Sequence, residues 1–318
     1  MCGFGRSHVG QRPPAHPDAS TDARYLPRAK SLPSPPAYQR VTSDSSPTAR
    51  IVELRVYPIK SLAGVSVAAS AVGGLGLALD RRWMLVDGEG TFLTQREHGR
   101  MALAVATPDG AGGLTVTAPG LPPLRVAPPP AGAARRRVRV WADTVEAAGY
   151  PADVDDWFST HLGASVALVH LPDDVVRPVD PAYGRAGDRA AFADGFPLLV
   201  ASAESLAELN ARLVARGAEP VEMRRFRPNV VVAGVDAPFA EDGWRGFTAG
   251  GIAFDVVKPC ARCVITTIDP ESGVQGHEPL RTLNTFRRRN GKVLFAQNVI
   301  PRGAGTLRVG DVVTPMLD

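Results

Sequence analysis

From Arg50 onward, apolar residues alternate with polar ones or gather in β-branched runs: Ile51, Val52, Leu54, Val56 and Tyr57, then Val65, Val67 and Ala69. Side chains two positions apart share one face of a strand, so this spacing predicts strands. Arg82-Trp83-Met84-Leu85-Val86 and Thr91-Phe92-Leu93-Thr94 flank Asp87-Gly88-Glu89-Gly90, whose glycines admit the positive φ of a tight turn, and a hairpin is expected there. Further short strands are expected near Leu103 and at 114–116, 124–126 and 138–141, separated by turns such as Pro119-Gly120-Leu121-Pro122-Pro123. Short strands at this spacing predict a small barrel or sandwich. The period then lengthens. Residues 151–162 carry Trp157, Phe158 and Leu162 on one helical face, and Ser202 caps a second helix in which Leu206, Leu209, Leu213 and Val214 recur until Gly217. Residues 172–195, rich in Asp, Arg and Gly, read as a loop, and β texture returns at 229–232, 252–257 and 264–268. No fixed-period repeat is present, which excludes solenoids and propellers.

Residues 1–49 have a different texture, with eight prolines, many serines and few clustered aliphatics. Such a segment buries too little surface to offset its ordering entropy and reads as a disordered tail. It carries much of the charge imbalance. Of 36 basic and 32 acidic residues in the chain, seven and three fall in residues 1–50, leaving 29 of each in the remainder. A neutral body lacks the cation surplus that polyphosphate binding requires, so a nucleic-acid partner is excluded. There is no apolar run long enough for a membrane span and no secretory apolar core. A cytoplasmic location is expected, with organelle import the alternative that the Arg- and Ser-bearing tail leaves open.

The 318 residues include three cysteines, Cys2, Cys260 and Cys263, too few for a disulfide framework. Cys260 and Cys263 occupy Lys258-Pro259-Cys260-Ala261-Arg262-Cys263-Val264, where Pro259 marks a strand end and Lys258 and Arg262 favour a thiolate. A β-branched run follows Cys263, which argues against the helix start of a thioredoxin-like site. A structural zinc site needs about four ligands, and only His277 lies nearby. A soft metal held mainly by a non-protein group, with one thiolate completing its coordination, satisfies the pattern. The spacing of His98, His161, His170 and His277 assigns them no role.

Several ordered motifs go further: Tyr57-Pro58-Ile59-Lys60-Ser61, Leu79-Asp80-Arg81-Arg82-Trp83, Phe226-Arg227-Pro228-Asn229, Ala240-Glu241-Asp242-Gly243-Trp244, Cys260-Ala261-Arg262-Cys263 and Asp269-Pro270-Glu271-Ser272-Gly273. Over about residues 51–315 the chain resembles the MOSC-domain proteins, in particular the two-part members similar to the mitochondrial amidoxime-reducing component and its bacterial relatives. The resemblance implies an α+β, mostly β fold: a MOSC β-barrel of the pyruvate-kinase-barrel type at 171–318, preceded by an N-terminal β-rich domain at 50–170. It also implies a molybdenum cofactor (Mo-molybdopterin) and reduction of small N-oxygenated substrates. By position, Cys263 matches the metal-ligating catalytic cysteine and Cys260 its non-ligating neighbour. Lys60, Ser61, Arg81, Arg227, Asn229 and Arg262 match positions around the pterin or its phosphate. Asp194, Asp269 and 295–298 are candidates for orienting or lining the site, and substrate choice is expected in 172–195 and 272–280. Three cysteines cannot hold a four-cysteine iron–sulfur cluster, so electrons are expected from a separate protein of ferredoxin, flavin-reductase or cytochrome type. Ala261 stands where relatives often carry a hydroxyl. A cofactor or persulfide carrier is the alternative function.

Overall fold

The computed structural model describes residues 48–129 and 132–317. The expected tail as far as residue 47, with Cys2, lies outside them. Strands dominate, joined by three α-helices: α1 (Ala152–Leu162), α2 (Ala203–Ala215) and α3 (Leu280–Phe286). Both expected helices form where the apolar spacing puts them. Gly163 closes α1 in the left-handed conformation (φ 67°), and the Ser202 hydroxyl accepts from Ser205 N at the start of α2.

A nine-stranded sheet runs edge to edge through Thr314–Leu317, Trp244–Ala249, Ile252–Ala261, Lys292–Pro301, Leu198–Ser202, Val230–Ala233, Arg50–Val56 and Val65–Val67, with Arg288–Arg289 branching from Lys292–Pro301. Its one parallel pair, Leu198–Ser202 with Val230–Ala233, is joined through α2, since parallel neighbours need a long crossover. Arg50–Val56 belongs by sequence to the first expected domain, yet it pairs with Val230–Ala233 of the second. A four-stranded sheet (Trp83–Val86, Ala167–His170, Asp143–Gly149, Arg135–Val140) and two three-stranded sheets complete the β structure. Separate apolar clusters fill the large sheet, around Leu54, Phe247 and Phe254, and the small ones, around Trp83, Met101 and Phe158.

Three local expectations change. The Thr91–Thr94 arm is not a strand: Phe92 makes one bridge to Val86, while Trp83–Val86 pairs along its length with Ala167–His170. All four residues of Trp83–Val86 are buried although the strand ends its sheet; Ala167–His170 takes its one full-length ladder, and the 90–92 segment bonds to Arg139 instead. The strand expected near Leu103 is a 3-10 helix, Gly99–Leu103, followed by a strand at Val105–Pro108. At 264–268 the β-branched run forms a 3-10 helix, Val264–Thr267. Thr266 Oγ1 donates to Cys263 O (3.0 Å) and Thr267 Oγ1 to Val264 O (2.7 Å), so side-chain hydroxyls satisfy the carbonyls that a ladder would otherwise engage.

Two predictions follow from this packing. A Cβ on Gly64 would lie 2.3 Å from Tyr57 Cδ1, and Tyr57 is 1 % exposed. Gly64→Ala is therefore expected to lower unfolding free energy by about 1–3 kcal/mol, the usual cost of overpacking, measured by urea denaturation. His170, edge-on to Trp83 at 4.9 Å with Nδ1 unpartnered, has its pKa pushed down from 6.5 to about 4, by burial first and then by Arg82. A depressed imidazole pKa means that the unfolded chain takes up the proton first, so stability falls as pH drops from about 6.5 towards 4 and is flat for this group above that window. His170→Gln should flatten that part of the stability–pH curve.

Candidate functional site

The strand Ile252–Ala261 leads into the cysteine pair. Its pairing with Lys292–Pro301 shifts register between Val256 and Lys258 and again between Pro259 and Ala261, irregularities that accommodate a proline lacking an N–H. Beyond them Arg262 N donates to Val293 O at 2.8 Å, and Cys263, extended at φ −122°, precedes the 3-10 turn.

Lys60, Ser61, Arg81, Arg227, Asn229, Arg262 and Cys263 line one cleft, together with Cys260, Arg96, Asp194, Phe196 and Asn298. The seven sequence candidates, spread over 204 positions from 60 to 263, thus converge. Asp269 does not join them: it pairs with Arg225 at 2.8 Å and accepts from the backbone of Glu271 and Ser272. Of 295–298, only Asn298 reaches the cleft; Phe295 stacks on Phe226, and Gln297 donates to Asp242. Glu241, from another motif, is buried and receives hydrogen bonds from Ser202 and Ser205, so it braces the start of α2.

Tyr57 organises the floor. Arg81 and Arg227 each hold a guanidinium carbon 4.3 Å from its ring centroid. Arg81 also donates to Asp80 Oδ2 (2.5 Å), Asn229 Oδ1 (2.9 Å) and Arg227 O (3.2 Å), and Arg227 donates to Leu62 O (2.6 Å). Burial, reinforced by Arg81, pushes Arg227 down to about 10, and burial pushes the Tyr57 phenol up to about 12. The buried Asp80 carboxyl is raised by desolvation against the pull of Arg81. Ser61, Arg81 and Arg227 have φ of 66°, 50° and 57°. Left-handed backbone at three non-glycine residues of one cleft is strain that the surrounding contacts must hold in place.

Lys60 is 5 % exposed, and its Nζ donates to Phe192 O (2.8 Å) and Asp194 Oδ1 (2.5 Å). Burial lowers its pKa against the opposing pull of Asp194. The Lys60 ammonium, 2.5 Å away, holds the Asp194 carboxyl well below the usual carboxylate range. The buried Arg177 fixes this loop by donating to Ala191 O, Ala193 O and Asp194 O while pairing with Asp143.

Each thiol has its own guanidinium. Arg262 Nη1 donates to Cys260 Sγ at 2.8 Å, and Arg96 Nη2 donates to Cys263 Sγ at 3.2 Å. Arg96 was not among the sequence candidates. It is one of 32 arginines, lies outside every motif and meets its sulfur across 167 residues of chain. It also stacks on Trp141 at 4.7 Å, and Trp141 Nε1 donates to Asp194 Oδ1. Lys258, expected beside the thiols, instead places Nζ 4.0 Å from the Tyr183 ring centroid.

Family models for the MOSC N-terminal beta barrel domain and the MOSC domain match residues 48–165 and 187–314. The chain belongs to the MOSC-domain family. Among its relatives, mitochondrial amidoxime-reducing component 1 of Homo sapiens is 33% identical over 285 residues, covering 83% of this chain and 82% of that protein. The Xenopus laevis protein of the same name is 33% identical over 284 residues, covering 83% and 81%. The molybdenum cofactor sulfurase of Solanum lycopersicum is 31% identical over 290 residues, covering 83% of this chain but 35% of that protein. Mostly β architecture with an N-terminal barrel domain agrees with the fold expected for a MOSC protein.

Asp194→Asn leaves the Lys60 ammonium buried without its counter-charge. A fully buried pair broken this way costs several kcal/mol, but the Asp194 side chain is 64 % exposed, so a loss of about 1–2 kcal/mol is expected in a chemical melt.

Proposed function

We propose that this protein is a molybdenum-cofactor oxidoreductase that reduces small N-oxygenated compounds, with electrons from a separate redox protein. The reading rests on the convergence of Cys263 and six polar or cationic candidates on one cleft. The donor set suits an anionic pterin phosphate. Arg262 Nε is buried without a partner, and the Ser61 hydroxyl makes no hydrogen bond among the described residues. Arg81, Arg227 and Lys60 surround the same space with fixed positive charge. Cys263 would supply the soft thiolate to molybdenum.

The bound cofactor would supply the two-electron chemistry, in which an N-hydroxy compound, two electrons and two protons give the parent base and water. The chain supplies position and charge. Arg96 places a hydrogen-bond donor on the ligating sulfur. Arg81 and Arg227, fixed around Tyr57, offer planar forks to phosphate oxygens, and Lys60 retains one proton beyond its two protein partners. Asp194 remains ionised beside Lys60 and therefore orients rather than donates a proton. Asn229, with Arg81 and Leu199 on its carbonyl oxygen and Arg55 O on its amide, orients the arginine.

A carrier of cofactor or sulfane sulfur is the second reading. It is favoured by the pairing of both thiols with guanidiniums, which would suit persulfide anions. It predicts a 32-Da adduct on Cys260 or Cys263 by mass spectrometry, and no turnover.

The reductase reading is tested with protein made in a host that synthesises the cofactor. One molybdenum per chain and reduction of an N-hydroxylated substrate with dithionite-reduced viologen are expected, and Cys263→Ala should abolish reduction and lower metal content. Protein free of molybdenum from such a host would sink the reading.

A further inference from the structure

The strand Lys292–Pro301 supports the thiol segment, and its outer end carries a feature that the site does not use. Arg288–Arg289 turns back onto it through Asn290 (φ 49°) and Gly291 (φ 74°), with Arg289 opposite Lys292 and Arg288 opposite Val293. Two consecutive residues at positive φ make the two-residue turn whose twist matches that of the paired strands. Arg288, Arg289 and Lys292 are exposed. Among the described residues, Arg288 and Lys292 have no carboxylate within 4.0 Å. Arg289 has only Asp242 at 3.7 Å, a group already bound by Arg287 at 2.7 Å and by Gln297. At its base, Val293 O accepts from Arg262 N, one residue before Cys263.

We infer that this hairpin is the docking element for the electron donor, and that the donor is a small redox protein with an acidic face. The inference rests on the reductase reading and adds to it the location and charge of the partner's binding surface. Exposed cations on this tip, two of them without a carboxylate partner among the described residues, attract an acidic surface and speed encounter at low salt. The tip stands about 7–10 Å along the strand from the residue bonded to Arg262, by a rise of about 3.4 Å per residue, so a partner seated there lies beside the cleft's cysteine edge. The patch comprises three cations on a body whose remaining charges nearly balance, which matches one protein face and not an extended polyphosphate.

The test uses an acidic [2Fe–2S] ferredoxin as the probe, with the Arg288→Glu/Lys292→Glu double variant beside the unaltered holoenzyme. Expected are ferredoxin binding that weakens about tenfold or more in the variant at low salt and a difference that shrinks near 1 M salt, where charges are screened within about 3 Å. Viologen-driven reduction should be unchanged, and coincident thermal melts establish that the variant is folded. Equal ferredoxin binding by both proteins, or none by the unaltered protein, overturns the inference, as does charge-dependent binding to phosphatidylserine vesicles with no ferredoxin binding. Charge-dependent ferredoxin binding without turnover from either donor supports the docking surface and overturns the reductase reading, so the two failures are distinct.

Discussion

Arg81 and Arg227 both lie against the one buried ring of Tyr57, and burial together with the neighbouring Arg81 makes Arg227 harder to keep charged. Cation–π attraction, about 0.5–2 kcal/mol per contact, offsets part of that repulsion. Asp80 offsets more, because its carboxylate is 1 % exposed and pairs with Arg81 while also accepting from Tyr57 N. Neither compensation removes the surplus. With Lys60, Arg96 and Arg262 on the same walls, the cleft holds more positive charge than its own acids can balance. A surplus of this kind is stable only if a rigid frame prevents the cations from swinging out to water.

That frame is the meeting of distant strands. Asn229 is 1 % exposed and ties two of them to the Arg81 turn, accepting from Arg81 and from Leu199 N and donating to Arg55 O. Its backbone adds bonds to Leu199 and Arg55. The pairing of Arg50–Val56 with Val230–Ala233 therefore sets the separation of the Tyr57 and Arg227 segments, and the positive φ of Arg81 and Arg227 turns their side chains within that spacing. On the facing wall, Arg177 gathers the carbonyls of Ala191, Ala193 and Asp194 and so presents Asp194 to Lys60 and Trp141. Buried polar networks of this type specify one arrangement because each partial rearrangement strands an unpaired group.

Much of this was legible in the sequence for a definite reason. Apolar periodicity reports burial, and burial drives the strands and the two longer helices. The motif residues Lys60, Arg81, Arg227, Asn229 and Cys263 could be named because the ordered motifs that carry them resemble those of the MOSC family. What escaped depends on contacts that periodicity does not encode. The 264–267 turn is held by two threonine hydroxyls that compete with ladder bonding, so propensity pointed the wrong way. Arg96 and the Lys60–Asp194 pair depend on approaches across 167 and 134 residues. Lys258 and Arg262 flank the cysteines in sequence, but strand alternation and register shifts send Lys258 to Tyr183 and Arg262 to Cys260.

The division of labour between the two thiols then follows from where each guanidinium is anchored. Arg262 is tied to Phe226 O as well as to Cys260, so that sulfur is bound into the same wall that carries Arg227. Arg96 instead comes from the N-terminal barrel segment, with Gln95 beside it donating to Ser61 O. Cys263 is thus the thiol whose environment is supplied by the first domain, while its backbone belongs to the second. A sulfur placed at such a junction senses the relative position of both domains, whereas Cys260 senses one. The difference between two cysteines three residues apart is therefore architectural: the guanidinium on Cys260 comes from the adjoining segment, and the one on Cys263 comes from the N-terminal domain.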